Sequence, residues 1–183
     1  FQDMVMGRRQ DLSARSTIVP EPDMDLDEVG IPQPVAFEMF KPFIVRDLRQ
    51  TLGMSGADAL KAHRTKQPAA VEALHRVAGT RPVILKRDPA LHAFSAMAFR
   101  PKIIGGKAIA IHPLVTGGFN ADFDGDTMAL FVPVHETAVD EARRMMPSKK
   151  LFSPTHGGLM PVPSQDSLLG LFQVTGWDRD TGK

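Results

Sequence analysis

Short apolar segments between glycine and proline corners most constrain the fold of this chain. Such segments occupy residues 82–85, 101–104, 107–112 and 127–132, and none is long enough for an ordinary helix. Gly105-Gly106 between two of them predicts a hairpin turn. Many short strands with sharp corners, interrupted by helices, favour a small barrel over a parallel α/β sheet. We therefore predict an α+β fold built on a small β-barrel.

Helical spacing dominates the segment that precedes these strands. Apolar residues recur at helical intervals over residues 35–52, and Pro42 predicts two short helices there, the second ending at Gly53. Ser55 is a plausible N-cap for a helix to about residue 66. Pro68 suits the first turn of another helix, which we expect to run to residue 78 and stop at Gly79. Residues 35–79 thus form a predicted helical insertion, preceded by a predicted loop over residues 21–34.

Three carboxylates alternate along the segment 120–126, which has the sequence NADFDGD. On an extended strand, Asp122, Asp124 and Asp126 would share one face, and their mutual repulsion would call for a cation. Mg²⁺ is the natural candidate because it prefers oxygen ligands. Alternate positions on a straight strand lie roughly 7 Å apart, so the three acids could share one ion only if the chain bends, as Gly125 permits.

Two other structures could explain an acidic segment of this kind. Asp-Gly also favours a solvated hairpin turn, which remains an alternative on these seven residues alone. A calcium-binding EF-hand loop needs Gly at its sixth position and Glu at its twelfth. Counted from Asp122, those positions hold Thr127 and Pro133, which excludes the calcium loop.

Composition narrows the classes of function. The absence of cysteine excludes disulfides and thiolate metal sites and fits a reducing cytoplasm. No apolar run approaches the roughly 18 residues of a membrane span, so we expect no membrane association. The net charge of +1 conceals a basic stretch, since residues 41–107 carry thirteen Lys or Arg against four acids. That excess suits a polyanionic partner.

The acidic segment and its flanks resemble the largest, beta-prime-type subunit of multisubunit DNA-dependent RNA polymerases. NADFDGD matches the catalytic signature of that family, and further family segments stand in the same order along nearly the whole chain. These segments are Gly7-Arg8-Arg9, residues 13–16, residues 40–44, residues 87–92, Gly106-Lys107-Ala108-Ile109, His112-Pro113-Leu114-Val115, Pro163-Ser164-Gln165-Asp166 and residues 169–171. The resemblance implies a six-stranded double-psi β-barrel with helical insertions, within one catalytic region over residues 1–183.

By this resemblance, Asp122, Asp124 and Asp126 hold the catalytic Mg²⁺, and a second Mg²⁺ arrives with the nucleoside triphosphate. Two such ions would assist transfer of a nucleotide onto the RNA 3′ end by stabilising the entering and leaving oxygens. The implied nucleotide-binding residues are Arg87, Asn120 and Pro89. The implied nucleic-acid-binding residues are Arg8, Arg9 and Arg15, with Gln165 as a secondary site residue.

Simpler roles remain open for some of these residues. Arg87 could pair with the adjacent Asp88, and Asn120 could only stabilise a turn. Lys86 stands where bacterial relatives commonly have Asn, and Thr127 where they usually have Gln, which leaves the metal ligands intact. These departures suggest a divergent polymerase.

The family's second barrel, which supplies lysines to the nucleotide and transcript, has no counterpart in this sequence. The resemblance therefore implies a second large subunit or domain, a DNA template, an RNA transcript and nucleoside triphosphates as partners, with no activity in isolation. The first residue, Phe1, suggests a piece of a longer chain. A non-catalytic nucleic-acid-binding or assembly module is the alternative function, and a single-chain polymerase with two barrels is a third.

Overall fold

A closed six-stranded β-barrel forms the centre of the structure, a computed structural model that describes residues 12–88 and 95–149. The barrel order is β1-β5-β2-β4-β3-β6, and the strands are flanked by helices. This architecture confirms the predicted α+β fold with a six-stranded barrel. The strands are β1 Ser13–Pro20, β2 Glu28–Pro32, β3 Val83–Arg87, β4 Ala96–Ile104, β5 Ile109–Ile111 and β6 Thr127–Phe131.

Strands β1 and β4 have equivalent positions in the barrel, because each pairs parallel with one neighbour and antiparallel with the other. Strand β1 pairs parallel with β5 and antiparallel with β6, and β4 pairs parallel with β2 and antiparallel with β3. Strand β4 changes partner midway, from β3 at Ala96–Phe99 to β2 at Arg100–Ile104. Pro101 lies just after this change. The separate strand predicted to start at Pro101 is therefore the second half of one longer strand.

Two sequence predictions about the strands are wrong. Residues 21–34 are not one loop, because β2 lies within them and the first helix begins at Gln33. Gly105-Gly106 does not join a hairpin either, because β5 pairs with β1 and β2 and not with β4. Of the strands that follow one another in the sequence, only β3 and β4 are paired in this barrel, so the turn signal at Gly105-Gly106 does not report the pairing.

Close packing explains the glycine in β2. A Cβ atom at Gly30 would lie 2.8 Å from Ile104 Cδ1, 2.9 Å from Ala110 Cβ and 2.9 Å from Met24 Cε. Glycine inside a strand commonly marks such a close approach. The residue that weakens the local strand signal is therefore one that lets neighbouring barrel strands pack tightly.

Four helices lie between β2 and β3: α1 Gln33–Met39, α2 Lys41–Leu52, α3 Gly56–Arg64 and α4 Pro68–Thr80. The chain breaks between α1 and α2 just before Pro42, as predicted, and Gly53 ends α2 in the left-handed conformation with φ 64°. The Ser55 hydroxyl accepts a hydrogen bond from the Asp58 backbone N–H, which confirms the predicted N-cap. Helix α4 continues through Gly79 to Thr80, slightly beyond the predicted end.

The barrel interior and the helices share one apolar core. Its fully buried members include Ile31, Leu85 and Leu130 from the strands, together with Ile44 and Leu74 from the helices. After β5, a 3₁₀ turn at Pro113–Val115 leads into the short helix α5 at Thr116–Phe119. Helix α6 spans Glu136–Arg144, and a second 3₁₀ turn follows at Pro147–Lys149. Within the described ranges, none of the helices has the length and apolarity to cross a bilayer.

Replacing Gly30 by alanine is expected to destabilise the fold by about 1–3 kcal/mol, the usual cost of overpacking a core. The reason is that the new methyl group would meet Ala110 Cβ, which can move only with its backbone. Urea denaturation measures the change. Gly56→Ala is the matched control, because a Cβ there meets no atom within 4 Å. A Gly30→Ala variant as stable as the Gly56→Ala variant would contradict the packing argument.

Candidate metal centre

The acidic segment is a bent loop that joins α5 to β6. Before this loop, His112 caps the 3₁₀ turn, because its Nδ1 accepts a hydrogen bond from the Leu114 backbone N–H at 3.1 Å. Asn120 then ends α5 in the left-handed conformation, with φ 48°. Gly125 has φ 117°, which side chains rarely tolerate. The segment is therefore bent and not a straight strand, and the glycine that permits the bend is Gly125, as predicted.

Alternation of apolar and acidic residues orients this loop. Ala121 and Phe123 are partly buried and pack against the hydrophobic core, while Asp122 and Asp124 are exposed. At the end of the loop, the Asp126 carbonyl accepts the Ile18 backbone N–H of β1 at 3.0 Å. The core thus holds one side of the loop and β1 holds its end, so the carboxylates face outward together.

The three carboxylates converge closely enough to share one cation. Asp122, Asp124 and Asp126 each offer an oxygen, and these oxygens lie within 4.8 Å of one another. Two ligands on opposite sides of a Mg²⁺ ion are about 4.2 Å apart, at about 2.1 Å per bond, so small side-chain movements would suffice. An all-oxygen donor set also suits this hard cation. The site therefore fits Mg²⁺ in both spacing and chemistry.

Arg87, at the end of β3, contacts the acidic cluster. Its Nε donates to Asp126 Oδ2 at 2.9 Å, and the same oxygen accepts the Asp122 backbone N–H at 3.3 Å. The strand register explains the meeting, since Arg87 lies opposite Met128, two residues after Asp126. The sequence gives no local signal for a partner so distant along the chain, and this ion pair was not predicted.

The alternative in which Arg87 pairs with Asp88 is wrong. Asp88 instead accepts from Arg15 at 2.6 Å and lies 2.8 Å from Lys86 Nζ. Ala129 of β6 stands between Arg15 of β1 and Lys86 of β3 in the register of the three strands. Two cations and one carboxylate therefore form a second, more exposed charge group on the strands that border the acidic loop. Sequence reasoning had not assigned Lys86 or Asp88 to the site.

The two charge groups shift the acidities of their carboxyls in different directions. A hydrogen bond from Arg87 keeps the pKa of Asp126 below its usual value, and a hydrogen bond from Lys86 does the same for the pKa of Asp88. Asp124 has the opposite shift. A hydrogen bond with Asp122, reinforced by that carboxylate's charge, raises the pKa of Asp124. Repulsion inside the cluster is thus offset at Asp126 and remains at Asp124.

The structure brings together four of the predicted site residues, namely the three aspartates and Arg87. Asn120 is exposed at the start of the same loop, where its left-handed conformation also fits the simpler turn role. Arg15 belongs to the neighbouring charge group. Pro89, Arg8, Arg9 and Gln165 lie outside the described residues, so their predicted roles stay predictions.

The six-stranded barrel, with a carboxylate cluster on the loop between α5 and β6, agrees with the resemblance to RNA polymerase subunits. Comparison with known sequences identifies the family. The family model described as RNA polymerase Rpb1, domain 2 matches residues 7–71 and 55–148. The chain belongs to this RNA polymerase family, as the resemblance predicted.

Relatives named DNA-directed RNA polymerase subunit beta' match over almost the whole chain. The protein from Aster yellows witches'-broom phytoplasma (strain AYWB) is 42% identical over 176 residues, which is 96% of this chain and 13% of the relative. Those from Manihot esculenta and Vitis vinifera are 44% and 43% identical over 181 residues, which is 98% of this chain and 27% and 26% of the relatives. The chain therefore spans between about an eighth and about a quarter of the length of these relatives.

Asp124→Asn is expected to stabilise the metal-free fold at neutral pH. The pKa of Asp124 is raised in the folded state, so the folded protein binds this proton more tightly than the unfolded protein. The ionised group therefore destabilises the fold above that raised pKa, and protonation relieves the cost as the pH falls through it. Melting curves recorded in a chelator should show a higher Tm for the variant than for the native chain at pH 7.

The stabilisation by Asp124→Asn should shrink as the pH is lowered, because the native carboxyl then becomes neutral as well. Asp140→Asn serves as the control, since Asp140 pairs with Arg143 at 2.9 Å on the surface of α6. That variant should not raise the Tm. A destabilised Asp124→Asn variant in the chelator would contradict the repulsion argument.

Proposed function

We propose that this chain is the catalytic-centre region of a DNA-directed RNA polymerase, in which Asp122, Asp124 and Asp126 hold the active-site Mg²⁺. The observation that carries the proposal is the convergence of the three carboxylate oxygens within 4.8 Å on a loop anchored to the core and to β1. The names of the relatives, DNA-directed RNA polymerase subunit beta', support the reaction class.

The chemistry of nucleotidyl transfer requires what this loop offers. A divalent cation bound there would supply Lewis-acid chemistry, lowering the pKa of the attacking RNA 3′-hydroxyl and stabilising charge on the departing pyrophosphate. The chain's own task is to hold the carboxylates in position, because phosphoryl-transfer enzymes act mainly by positioning and charge stabilisation. A bent loop that is held by the core on one side and by β1 at its end meets that requirement better than a free acidic tip.

The cations near the loop suggest where substrates would lie. Arg87 adjoins Asp126, so a nucleotide sugar next to the metal centre would be within its range, and its rigid guanidinium offers several donors. Asn120 opens the same loop and could contact that sugar as well. Arg15 is more exposed and fits a phosphate of the template strand.

Partners follow from the charge of the site. A nucleoside triphosphate is strongly anionic, whereas the acidic loop is itself negative and Arg87 is its only ion-paired cation among the described residues. Additional cations must therefore come from elsewhere, and a second large polymerase subunit or domain is the proposed source. With that partner, a DNA template and nucleoside triphosphates, the assembly would make RNA that neither part makes alone.

The decisive experiment reconstitutes the chain with its polymerase partners and measures extension of an RNA primer on a DNA template. Asp124→Ala should lower the rate of extension at least about 100-fold, because the centre loses one of its metal ligands. Asp140→Ala is the matched control, since it removes an exposed aspartate on α6 and should extend RNA at the normal rate. Near-normal extension by Asp124→Ala would favour the non-catalytic binding module instead.

Arg15→Gln tests the proposed phosphate contact. In the reconstituted polymerase, affinity for a primed template should fall, and the slope of log K against log salt should become shallower by up to about 0.9, the value for one lost phosphate contact on duplex DNA. Arg76→Gln provides the same change of charge on α4, where Arg76 pairs with Asp47 at 2.6 Å, and should leave the slope unaltered. An equal effect of both substitutions would point to net charge alone.

A further inference from the structure

The charges at the acidic loop sum to a value that matches one divalent cation. Ionised Asp122, Asp124 and Asp126 contribute three negative charges, and Arg87 contributes one positive charge through its 2.9 Å contact with Asp126. The four groups therefore carry a net charge of −2. The neighbouring Arg15, Lys86 and Asp88 together carry a further charge of +1, but their side chains are more exposed than those of Arg87 and Asp126, so solvent screens that charge more strongly.

Arg87 is placed where its positive charge acts strongly on the aspartate cluster. The contact is partly shielded from water, with side-chain exposures of 21% for Arg87 and 23% for Asp126, so solvent screens it less than it screens the exposed pairs nearby. Asp126 Oδ2 already accepts two hydrogen bonds, from Arg87 Nε and from the Asp122 backbone N–H. A cation bound by the cluster would thus share a ligand residue with a fixed guanidinium.

We propose that Arg87 is a resident counter-ion that weakens and tunes cation binding by the aspartate cluster, so that the site binds a single divalent ion. This inference rests on the proposed function and adds a role for Arg87 beyond contact with a nucleotide. Without Arg87, the cluster would carry three uncompensated charges and would retain a negative charge after one divalent ion had bound. With Arg87, one such ion completes neutrality.

This balance also bears on the second metal ion implied by the family resemblance. Once one divalent cation is bound, the four side chains and that ion sum to zero, so the site has no net charge left to attract another. A second cation would then need anionic ligands of its own, and the phosphates of the incoming nucleotide supply them. The order in which metals enter would thus follow from the charge of Arg87.

Cation-binding measurements on the chain with Arg87→Gln test the proposal. Glutamine removes the charge but keeps a side-chain N–H donor for Asp126. Because the repulsion scales with the charge on the ion, the variant should bind Mn²⁺ about tenfold more tightly than the native chain. By the same scaling, it should bind Tb³⁺ about thirtyfold more tightly. Electron paramagnetic resonance measures free Mn²⁺, and sensitised luminescence measures bound Tb³⁺.

Two further variants separate charge from structure. Arg87→Lys keeps the positive charge and should bind both ions nearly as the native chain does. Arg76→Gln lowers the net charge equally but at α4, where Arg76 pairs with Asp47, and should also leave both affinities unchanged. A larger gain for Tb³⁺ than for Mn²⁺ in Arg87→Gln alone is a result that a loosened loop would not produce.

The outcomes distinguish this inference from the proposed function. If the native chain binds Mn²⁺ and Asp124→Asn abolishes that binding, the proposed metal site is supported independently of the role of Arg87. Unchanged or weaker binding by Arg87→Gln, or equal gains for the two ions, would then overturn the counter-ion role alone. If neither the native chain nor Arg87→Gln shows binding that depends on Asp124, both proposals fall.

Discussion

Mutual repulsion among the carboxylates of Asp122, Asp124 and Asp126 is the constraint that the surrounding structure has to overcome. A free loop would relieve it by spreading the side chains into water. Here the chain cannot spread, because Phe123 is packed against the core and the Asp126 carbonyl is bonded to β1. Apolar burial and one strand contact thus hold together three charges that would otherwise separate.

The barrel provides the fixed frame for this arrangement. Strands β1, β3 and β6 lie side by side, so that Ile18, Arg87 and the end of the acidic loop meet although they are far apart in the sequence. Arg81, just before β3, contacts two helices: its guanidinium lies 4.5 Å from the centre of the Phe43 ring in α2 and 2.6 Å from a carboxylate oxygen of Glu136 in α6. The site therefore depends on contacts distributed over most of the described chain.

Local sequence patterns were sufficient to predict some features of the structure and insufficient to predict others. The break before Pro42, the cap at Ser55 and the bend at Gly125 could be predicted because each depends on one residue's own geometry. The aspartate cluster could be predicted because it is contiguous in the sequence. Strand β2 was missed because Gly30 serves packing against Ala110, and the Arg87–Asp126 pair was missed because only the barrel register brings those residues together. Each of the two missed features depends on residues that lie far away along the sequence.

The crossed pairing of the strands has a consequence for how the chain acquires its shape. Strand β1 is hydrogen-bonded to β5 and β6, which are the last two strands of the described chain. Its partners are therefore about 90 or more residues away in the sequence. The helices α1–α4 make their contacts over much shorter separations. Since non-local contacts carry the larger loop-closure cost, the helical layer should assemble first and the barrel should close last. The acidic loop immediately precedes β6, so the carboxylates come together in the final closing step, when the hydrophobic contacts that restrain them are already forming.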